Sequence, residues 1–107
     1  MKSVENYVVE FSLKAGSQLE ALHDYIVIEA SPLVAQRYTD AIVDYCEGMQ
    51  TFPHRGTRRD DVRPGLRVTN YKGSAVIAFA VDDAAKVVTI IGVYYGGQDY
   101  ESVLHSD

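Results

Sequence analysis

The stretch from Lys86 to Tyr95, KVVTIIGVYY, is the most strand-like segment of the chain. β-Branched and aromatic residues dominate it, and apolar side chains fall on both faces of an extended backbone. Such a run is typical of a strand that is buried on both sides. Gly96 and Gly97 follow it and end the pattern. We therefore predict that Lys86–Tyr95 is the central strand of a sheet.

Two further strands precede this one at short spacing. Leu66–Tyr71 alternates as a strand does, and Ala75–Val81 is the next strand-like run. Turn-forming residues separate the three strands, Lys72–Ser74 in the first gap and Asp82–Ala85 in the second. Because both connections have hairpin length, the three strands are predicted to form an antiparallel meander.

A strand and two helices come earlier in the chain. Tyr7–Leu13 places apolar residues at every second position, which predicts a strand with one buried face. Lys14–Ala30 and Pro32–Gln50 have apolar residues at three- and four-residue steps, which predicts two amphipathic helices. Ser31 before Pro32 is a favourable start for the second helix. The link between them is so short that the helices must form a hairpin.

The predicted element order is β-α-α-β-β-β, an α+β fold in which the helical hairpin packs on an antiparallel sheet. The first strand must join the same sheet, since a lone strand is unstable. His54–Gly65 is irregular, with alternating charge, and is predicted to be a loop or an extended crossover. The length of 107 residues fits a single domain spanning residues 1–107.

Composition narrows the class of protein. Cys46 is the only cysteine, so an internal disulfide or a cysteine-built zinc site is excluded, and we expect this thiol to be buried and inert. Residues 1–6 contain no apolar signal sequence, and no apolar run reaches the roughly 20 residues that span a bilayer. No nucleotide-binding or metal-binding motif is present. We expect a cytoplasmic protein without cofactor, metal or membrane contact.

The distribution of charge is uneven. The formal net charge of −5 disfavours broad nucleic-acid binding, because it repels phosphate. One short segment nevertheless contains Arg55, Arg58, Arg59, Arg63 and Arg67. Guanidinium groups bind phosphates or carboxylates, but Asp60 and Asp61 offer a second interpretation, local ion pairs on a solvated loop. Arg67 begins a strand, where a side chain is held rigidly, so we favour a functional or anchoring role for it.

Tyrosines are concentrated at the end of the last strand. Tyr94 and Tyr95 are successive strand residues and point to opposite faces of the sheet, and Tyr100 follows shortly. We expect one of Tyr94 and Tyr95 to pack under the helices and the other to be exposed. An exposed tyrosine near arginines suits a protein interface or base stacking. The alternative is an ordinary half-buried tyrosine.

The order and spacing of several segments resemble the RelE/ParE toxin superfamily, and within it the ParE branch of type II toxin–antitoxin systems. The similarity covers nearly the whole chain. The segments that carry it are Tyr7–Leu13, SPLVAQRY at 31–38, FPHRG at 52–56 (similar to a P-x-x-G motif), Gly65-Leu66-Arg67 (similar to G-x-R) and VTIIGVYYGGQD at 88–99.

The resemblance implies a function as well as a fold. It implies a bacterial toxin, of the kind found in plasmid-stabilisation systems, that a small ParD-like antitoxin wraps and neutralises. In the ParE branch the implied target is DNA gyrase, whereas RelE-type relatives cleave mRNA on the ribosome. The candidate partner-binding residues are Arg55, Arg58, Arg59, Arg67, Tyr94, Tyr95 and Asp99. For the antitoxin we expect an apolar groove on the helical hairpin and sheet edge.

Three positions depart from the pattern of the superfamily. Gly92 and Gln98 stand where arginines are common, and Tyr95 stands where histidine is common. A ribonuclease must stabilise charge on a phosphorane and move protons, so these losses weaken the nuclease interpretation. Arg67 and Tyr95 are the catalytic candidates that remain. We therefore expect a non-enzymatic gyrase poison, with an mRNA endonuclease or a non-toxic antitoxin-binding homologue as alternatives.

Overall fold

The computed structural model describes residues 6–72, 75–96, 100, 101 and 104. Within them, two α-helices pack on one five-stranded sheet. The strands are β1 (Val8–Phe11), β2 (Thr57–Arg58), β3 (Leu66–Tyr71), β4 (Ala75–Asp82) and β5 (Val87–Tyr95). The helices are α1 (Leu13–Glu29) and α2 (Pro32–Glu47), followed by a 3₁₀ turn, Gly48–Gln50. The predicted α+β fold with a helical hairpin is confirmed.

The sheet is mixed, with the strand order β1-β5-β4-β3-β2. The meander from β3 to β5 is antiparallel, as predicted. The expectation of a wholly antiparallel sheet is wrong at one edge, where β1 pairs in parallel with β5 and Val8 lies opposite Val87. A parallel pair requires a long crossover connection, and here the whole chain between β1 and β5 supplies it.

The helical hairpin explains the parallel pairing. It returns the chain to the end of the sheet where β1 begins, so that the Tyr7 N–H donates to the Gln50 carbonyl at 2.9 Å. β3 therefore starts near that end. Two hairpin reversals then leave β5 running in the direction of β3 and hence of β1.

The strand β2 lies within the segment that was predicted to be a loop or crossover. It pairs with β3, Thr57 opposite Val68 and Arg58 opposite Arg67. Gly56 permits this approach, because it has φ +75° and a Cβ there would lie 2.2 Å from the Val68 carbonyl oxygen. A two-residue strand has no hydrophobic alternation to detect. Because β2 adds a fifth strand at that edge, β4 is the central strand of the sheet. The prediction that Lys86–Tyr95 is the central strand is therefore wrong by one strand.

Apolar side chains cover both faces of the sheet. The helix-side face packs against α1 and α2, and the buried residues of the core between them are Ala15, Leu22, Ile42, Cys46, Met49, Ile77, Phe79, Val88, Ile90 and Val93. The opposite, tail-side face packs against the loop after β2 and against Tyr100 and Leu104, two of the described residues of the C-terminal segment or tail. The buried residues of this second core are Val62, Leu66, Val68, Ala78, Tyr94 and Leu104. Each fully buried large side chain contributes about 1.5–3 kcal/mol. The prediction that β5 is apolar on both faces is confirmed.

A β-bulge in β5 sets the phase of its side chains. Ile90 and Gly92 pair with successive residues of β4, which leaves Ile91 as the extra residue. Ile90 and Val93 therefore both pack on the helix-side face, although strict alternation would place them on opposite faces.

Serine residues begin both helices. Ser12 Oγ accepts a hydrogen bond from the Ala15 N–H at 3.0 Å, and Ser31 Oγ accepts one from the Val34 N–H at 3.1 Å. Ser12 differs because its hydroxyl also donates to the Ile91 carbonyl in the bulge, at 2.9 Å. Ser12 thus joins α1 to the sheet, whereas the Ser31 side chain, within the described part of the chain, bonds only to its own helix.

The two caps allow a matched comparison. We expect Ser31→Ala to lower the free energy of unfolding by about 1 kcal/mol, the usual value of an N-cap. Ser12→Ala should lower it by about 2 kcal/mol, because the hydrogen bond to the Ile91 carbonyl is lost as well. Urea unfolding followed by circular dichroism measures both. Equal losses would contradict a bridging role for Ser12.

Candidate functional site

Arg58 and Arg59 form local ion pairs with Asp60 and Asp61, which was one of the two interpretations of the sequence. Arg58 Nη2 lies 3.1 Å from Asp60, and the Arg59 guanidinium donates to both carboxylate oxygens of Asp61, at 3.0 and 2.8 Å. The Arg58–Asp60 pair is largely exposed, so it contributes little to stability. The Arg58 side chain therefore remains accessible to a partner.

Arg59 also holds the C-terminal segment. Its Nη1 donates to the Tyr100 hydroxyl at 2.6 Å and lies 2.9 Å from the Glu101 carboxylate. The hydrogen bonds to Asp61 and Glu101 raise the pKa of Arg59 above its ordinary value. Most of the donors of Arg59 are thus occupied within the chain, and its main effect is to connect the β2–β3 loop to the tail.

Arg67 anchors the loop before β2. Its Nε donates to the Arg55 carbonyl and its Nη2 donates to the His54 carbonyl, both at 3.1 Å. The Arg55 guanidinium in turn lies 4.9 Å from the centre of the Tyr45 ring, and its Nε donates to the Phe52 carbonyl at 3.2 Å. These contacts support the anchoring role favoured for Arg67 and bring Arg55 onto the helix-side face.

Tyr94 and Tyr95 are both covered, although one of them was expected to be exposed. Tyr95 is half-buried on the helix-side face, with its ring 6.3 Å from that of Tyr25. Tyr94 is 2% exposed on the tail-side face, with its ring 6.1 Å from that of Tyr100. The expectation fails because the C-terminal segment covers that face, where the Arg63 side chain donates to the Leu104 carbonyl at 3.3 Å. Tyr94 is therefore corrected from a partner-binding candidate to a core residue.

The Tyr94 ring occupies the space beside Gly92. A Cβ at position 92 would lie 2.7 Å from the ring, which is too close for two side chains to coexist without movement. The Tyr94 hydroxyl is buried and has no hydrogen-bond partner among the described residues. In this chain an aromatic ring thus fills the surface at Gly92, one of the three positions at which the resemblance to the superfamily implies a different residue.

Arg67 and Tyr95, the two catalytic candidates, do not meet. Arg67 is in register with Phe79, near the start of β3, whereas Tyr95 is in register with Ala75 and, through it, with Tyr71 at the end of β3. Four residues along a strand correspond to roughly 13 Å, and two strands add about 10 Å across the sheet. The two side chains therefore belong to different regions of the helix-side face.

Three residues that the sequence did not single out for function meet near Arg67. Asp83 accepts a hydrogen bond from the Tyr7 hydroxyl at 2.6 Å and lies 2.8 Å from His54 Nε2. The Tyr7 hydrogen bond lowers the pKa of the Asp83 carboxyl, and the nearby charges of His54 and Lys86 act in the same direction. Up to 76 residues separate these partners, so no local motif could have indicated the cluster.

A cleft of about 180 Å³ lies between this cluster and the loop arginines, and it is called here the arginine cleft. It is lined by His54, Arg58, Gly65, Arg67, Val81 and Asp83. Two guanidinium groups and an imidazole outnumber the single carboxylate among them. The arginine cleft therefore offers donors to an anionic group, such as the carboxylate of a partner protein.

The remaining site predictions concern a thiol, metals and membranes. Cys46 is buried as expected, and burial raises its pKa to about 12, which makes the thiol unreactive. No three His, Cys, Asp or Glu side chains of the described residues meet as metal ligands would. None of the described helices has the length and apolar character needed to cross a membrane.

A family model that describes the ParE toxin of the type II toxin–antitoxin system parDE matches residues 9–100. The chain belongs to the ParE toxin family. The match spans every helix and strand named above except the first residue of β1. No significant match is found among curated proteins.

Solved structures share the fold of this ParE-family chain. A chain of the chromosomal ParDE system from P. aeruginosa superposes with a TM-score of 0.73 and 22% identity, covering 85% of this chain and 97% of that one. A chain of the RelBE2 toxin–antitoxin complex from Mycobacterium tuberculosis gives 0.65 and 20%, covering 92% and 100%. The isolated RelE toxin of E. coli gives 0.56 and 16%, covering 94% and 97%. Two of the three come from toxin–antitoxin systems or complexes by name.

Two positions that the resemblance singled out lie outside the described residues. They are Asp99, a partner-binding candidate, and Gln98, one of the three departures from the resemblance. Apart from the buried Tyr94, the other candidates fall into three groups. Arg58 and Arg67 line the arginine cleft, Arg55 and Tyr95 lie on the helix-side face, and Arg59 binds the tail.

The anchoring role of Arg67 can be tested by truncation. We expect Arg67→Ala to lower the free energy of unfolding by about 1–2 kcal/mol, since two backbone carbonyls lose a charged donor. Amide hydrogen exchange should accelerate in residues 54–58. Arg58→Ala, which removes only an exposed ion pair, should change stability by less than about 0.5 kcal/mol. Unchanged exchange in the loop of the Arg67 variant would contradict the assignment.

The Asp83 cluster predicts a specific pH dependence. Because folding lowers the pKa of Asp83, its contribution to stability is complete above the unfolded-state pKa of about 3.9 and is lost as pH falls through the folded-state value. Asp83→Asn should therefore be less stable than the parent at pH 7, and the difference should shrink towards pH 2.5. Urea unfolding across this range measures it.

The control for this titration is Glu29→Gln. Glu29 is exposed at the end of α1, and its carboxylate has no hydrogen-bond or ion-pair partner in the described part of the chain. Glu29→Gln should not be less stable than the parent at pH 7, because it removes no such contact. If Asp83→Asn is as stable as the parent at pH 7, or if its loss of stability does not shrink at low pH, the Tyr7 hydrogen bond does not favour the ionised carboxyl.

Proposed function

We propose that this ParE-family chain is a toxin that acts by binding DNA gyrase and not by cleaving RNA, and that a ParD-like antitoxin neutralises it. The bacterial system that it would serve is one of plasmid stabilisation. The observation that carries the proposal is the separation of Arg67 from Tyr95. A phosphodiester bond cannot contact both a cation near the start of β3 and a tyrosine at the end of β5, two strands away.

The contacts of each candidate further disfavour a nuclease. Arg67 uses two of its donors on backbone carbonyls, which favours a structural role for it. The Tyr94 ring fills the surface at Gly92, where an arginine would otherwise supply charge to a transition state. A net charge of −5 also disfavours the extended phosphate contacts of a ribosome-bound enzyme.

The arginine cleft supports a protein target. Arg58 is exposed, and its ion pair with Asp60 is of the kind that a competing carboxylate can replace at small cost. His54 is also half exposed at the same cleft. Arginine is enriched among the residues that dominate binding energy at protein interfaces. We assign Arg58, with Arg55 and Arg67, to the surface that contacts gyrase, and Asp99 remains a candidate contact from the sequence alone.

Purified proteins test the proposal directly. The chain should inhibit supercoiling by gyrase and should stabilise a gyrase–DNA cleavage complex. Arg58→Glu should raise the concentration needed for half-inhibition about tenfold, since it inverts a charge in the arginine cleft. Lys14→Glu makes the same change in net charge at an exposed position of α1, and it should leave inhibition unchanged.

The outcomes separate the three functions. Absence of both inhibition and a cleavage complex, at every concentration that the chain tolerates, rejects gyrase as the target. Cleavage of translated mRNA upon induction of the chain alone, abolished by Arg67→Ala, would establish the endonuclease in its place. Normal growth upon induction would instead identify a non-toxic homologue that binds only its antitoxin.

A further inference from the structure

The loop that follows α2 and its 3₁₀ turn presents a phenylalanine to solvent. Phe52 is 69% exposed, although the next residue, Pro53, is buried. The Phe52 ring makes no aromatic or cation–ring contact with the part of the chain that the structure describes. Exposed apolar residues are common on protein surfaces, and Leu13 at the start of α1 is another, at 93%. The surroundings of Phe52 are what distinguish it.

The backbone around Phe52 is held on both sides. Its N–H donates to the Gly48 carbonyl at 3.3 Å, and its carbonyl accepts a hydrogen bond from Arg55 Nε at 3.2 Å. Arg67 holds the following residues of the loop through the His54 and Arg55 carbonyls, both at 3.1 Å. A residue on a backbone that is already ordered loses little conformational freedom when it binds a partner. Phe52 is therefore pre-organised for contact.

The side chain of His54 ties the same loop to the turn between β4 and β5. Its Nε2 lies 2.8 Å from an Asp83 carboxylate oxygen, and that oxygen also accepts a hydrogen bond from the Tyr7 hydroxyl at 2.6 Å. The Tyr7 and His54 rings meet edge-on, with their centres 6.1 Å apart. These contacts fix the position of His54 beside Phe52.

A hollow of about 360 Å³ lies beside Phe52. It is lined by Thr51, Phe52, Pro53, His54 and Arg55, none of which is acidic. His54 also lines the arginine cleft, so the hollow and the cleft adjoin. An exposed aromatic ring and the cations of both cavities, Arg55 and Arg58 among them, therefore share one surface.

We propose that Phe52 is the apolar anchor of the surface with which this chain binds its target. The ring enters an apolar pocket of the target protein, and carboxylates at the rim of that pocket pair with Arg55 and Arg58. Aromatic residues and arginine are both enriched at protein interfaces. Charge complementarity selects an acidic rim, because these cations would repel a basic one.

The overall charge of the chain is compatible with an acidic rim. The net charge of −5 is spread over the whole molecule, and charges beyond about 8 Å are screened at physiological ionic strength. The inference deepens the proposed function, on which it rests, by naming the anchoring residue and the chemistry of the site that receives it on gyrase.

Truncation of the ring tests the anchor. Phe52→Ala should raise the concentration needed for half-inhibition of supercoiling at least tenfold, as expected when an interface anchor is lost. Phe52→Leu, which keeps an apolar side chain, should raise it less. The urea midpoint of each variant should stay close to that of the parent, because the ring is largely exposed.

Leu13→Ala is the matched control. It removes a side chain that is apolar and still more exposed than Phe52. Leu13 follows the end of β1, whereas the Tyr7 N–H at the start of β1 donates to Gln50, just before the loop. Leu13→Ala should therefore leave inhibition unchanged. An equal loss of inhibition in the Leu13 and Phe52 variants would overturn the inference.

Photo-crosslinking identifies what receives the ring. Phe52→p-benzoylphenylalanine should crosslink the chain to a gyrase subunit, and Leu13→p-benzoylphenylalanine should not. The crosslinked gyrase peptide should contain apolar residues together with aspartate or glutamate. A crosslink to DNA in place of protein, or to a basic segment of gyrase, would contradict the proposal.

Growth arrest upon induction of the chain alone, at equal protein levels, separates this inference from the choice of target. If Phe52→Ala inhibits gyrase and arrests growth as well as the parent does, gyrase stands and the anchor is rejected. If only the parent arrests growth, and neither protein affects gyrase, the anchor stands and gyrase is rejected. A parent that does not arrest growth overturns both, because there is then no target for Phe52 to bind.

Discussion

β5 has a neighbouring strand on each edge and packed side chains on each face, and most of the chain is arranged to provide them. β1 covers one edge in parallel, and β4 covers the other. The helical hairpin packs on one face, and the C-terminal segment packs on the other. The bulge at Ile91 is essential to this packing. It keeps Ile90 and Val93 on the same face of the sheet, and its Ile91 carbonyl accepts a hydrogen bond from the Ser12 hydroxyl.

The arginines illustrate how a cationic cluster can be largely structural. Arg59 and Arg63 hold the tail over the sheet, and Arg67 holds the loop before β2. Closing the tail-side face in this way buries Tyr94 and leaves its hydroxyl without a partner among the described residues. A surface that could have carried catalytic cations is thus converted into hydrophobic core. Of the loop arginines, Arg58 retains the most freedom to meet a partner.

The sequence by itself determined the elements and their class. Hydrophobic periodicity located both helices and the three long strands, Ser31-Pro32 located the hairpin turn, and the hairpin spacing of β3, β4 and β5 required a meander, because each of these follows from local geometry. The direction in which β1 joins β5 was not accessible, since it depends on where the helical hairpin returns the chain. β2 was missed because two residues carry no periodicity.

The contacts of the candidate site were likewise predictable only in part from the sequence. Ion pairs between Arg58, Arg59 and the adjacent aspartates could be proposed from sequence, because partners two residues apart are forced to be close. The burial of Tyr94 and the meeting of Tyr7, His54 and Asp83 were decided by tertiary structure alone. Each depends on groups that are distant in the chain and come into contact only when the tail and the loops pack around the sheet.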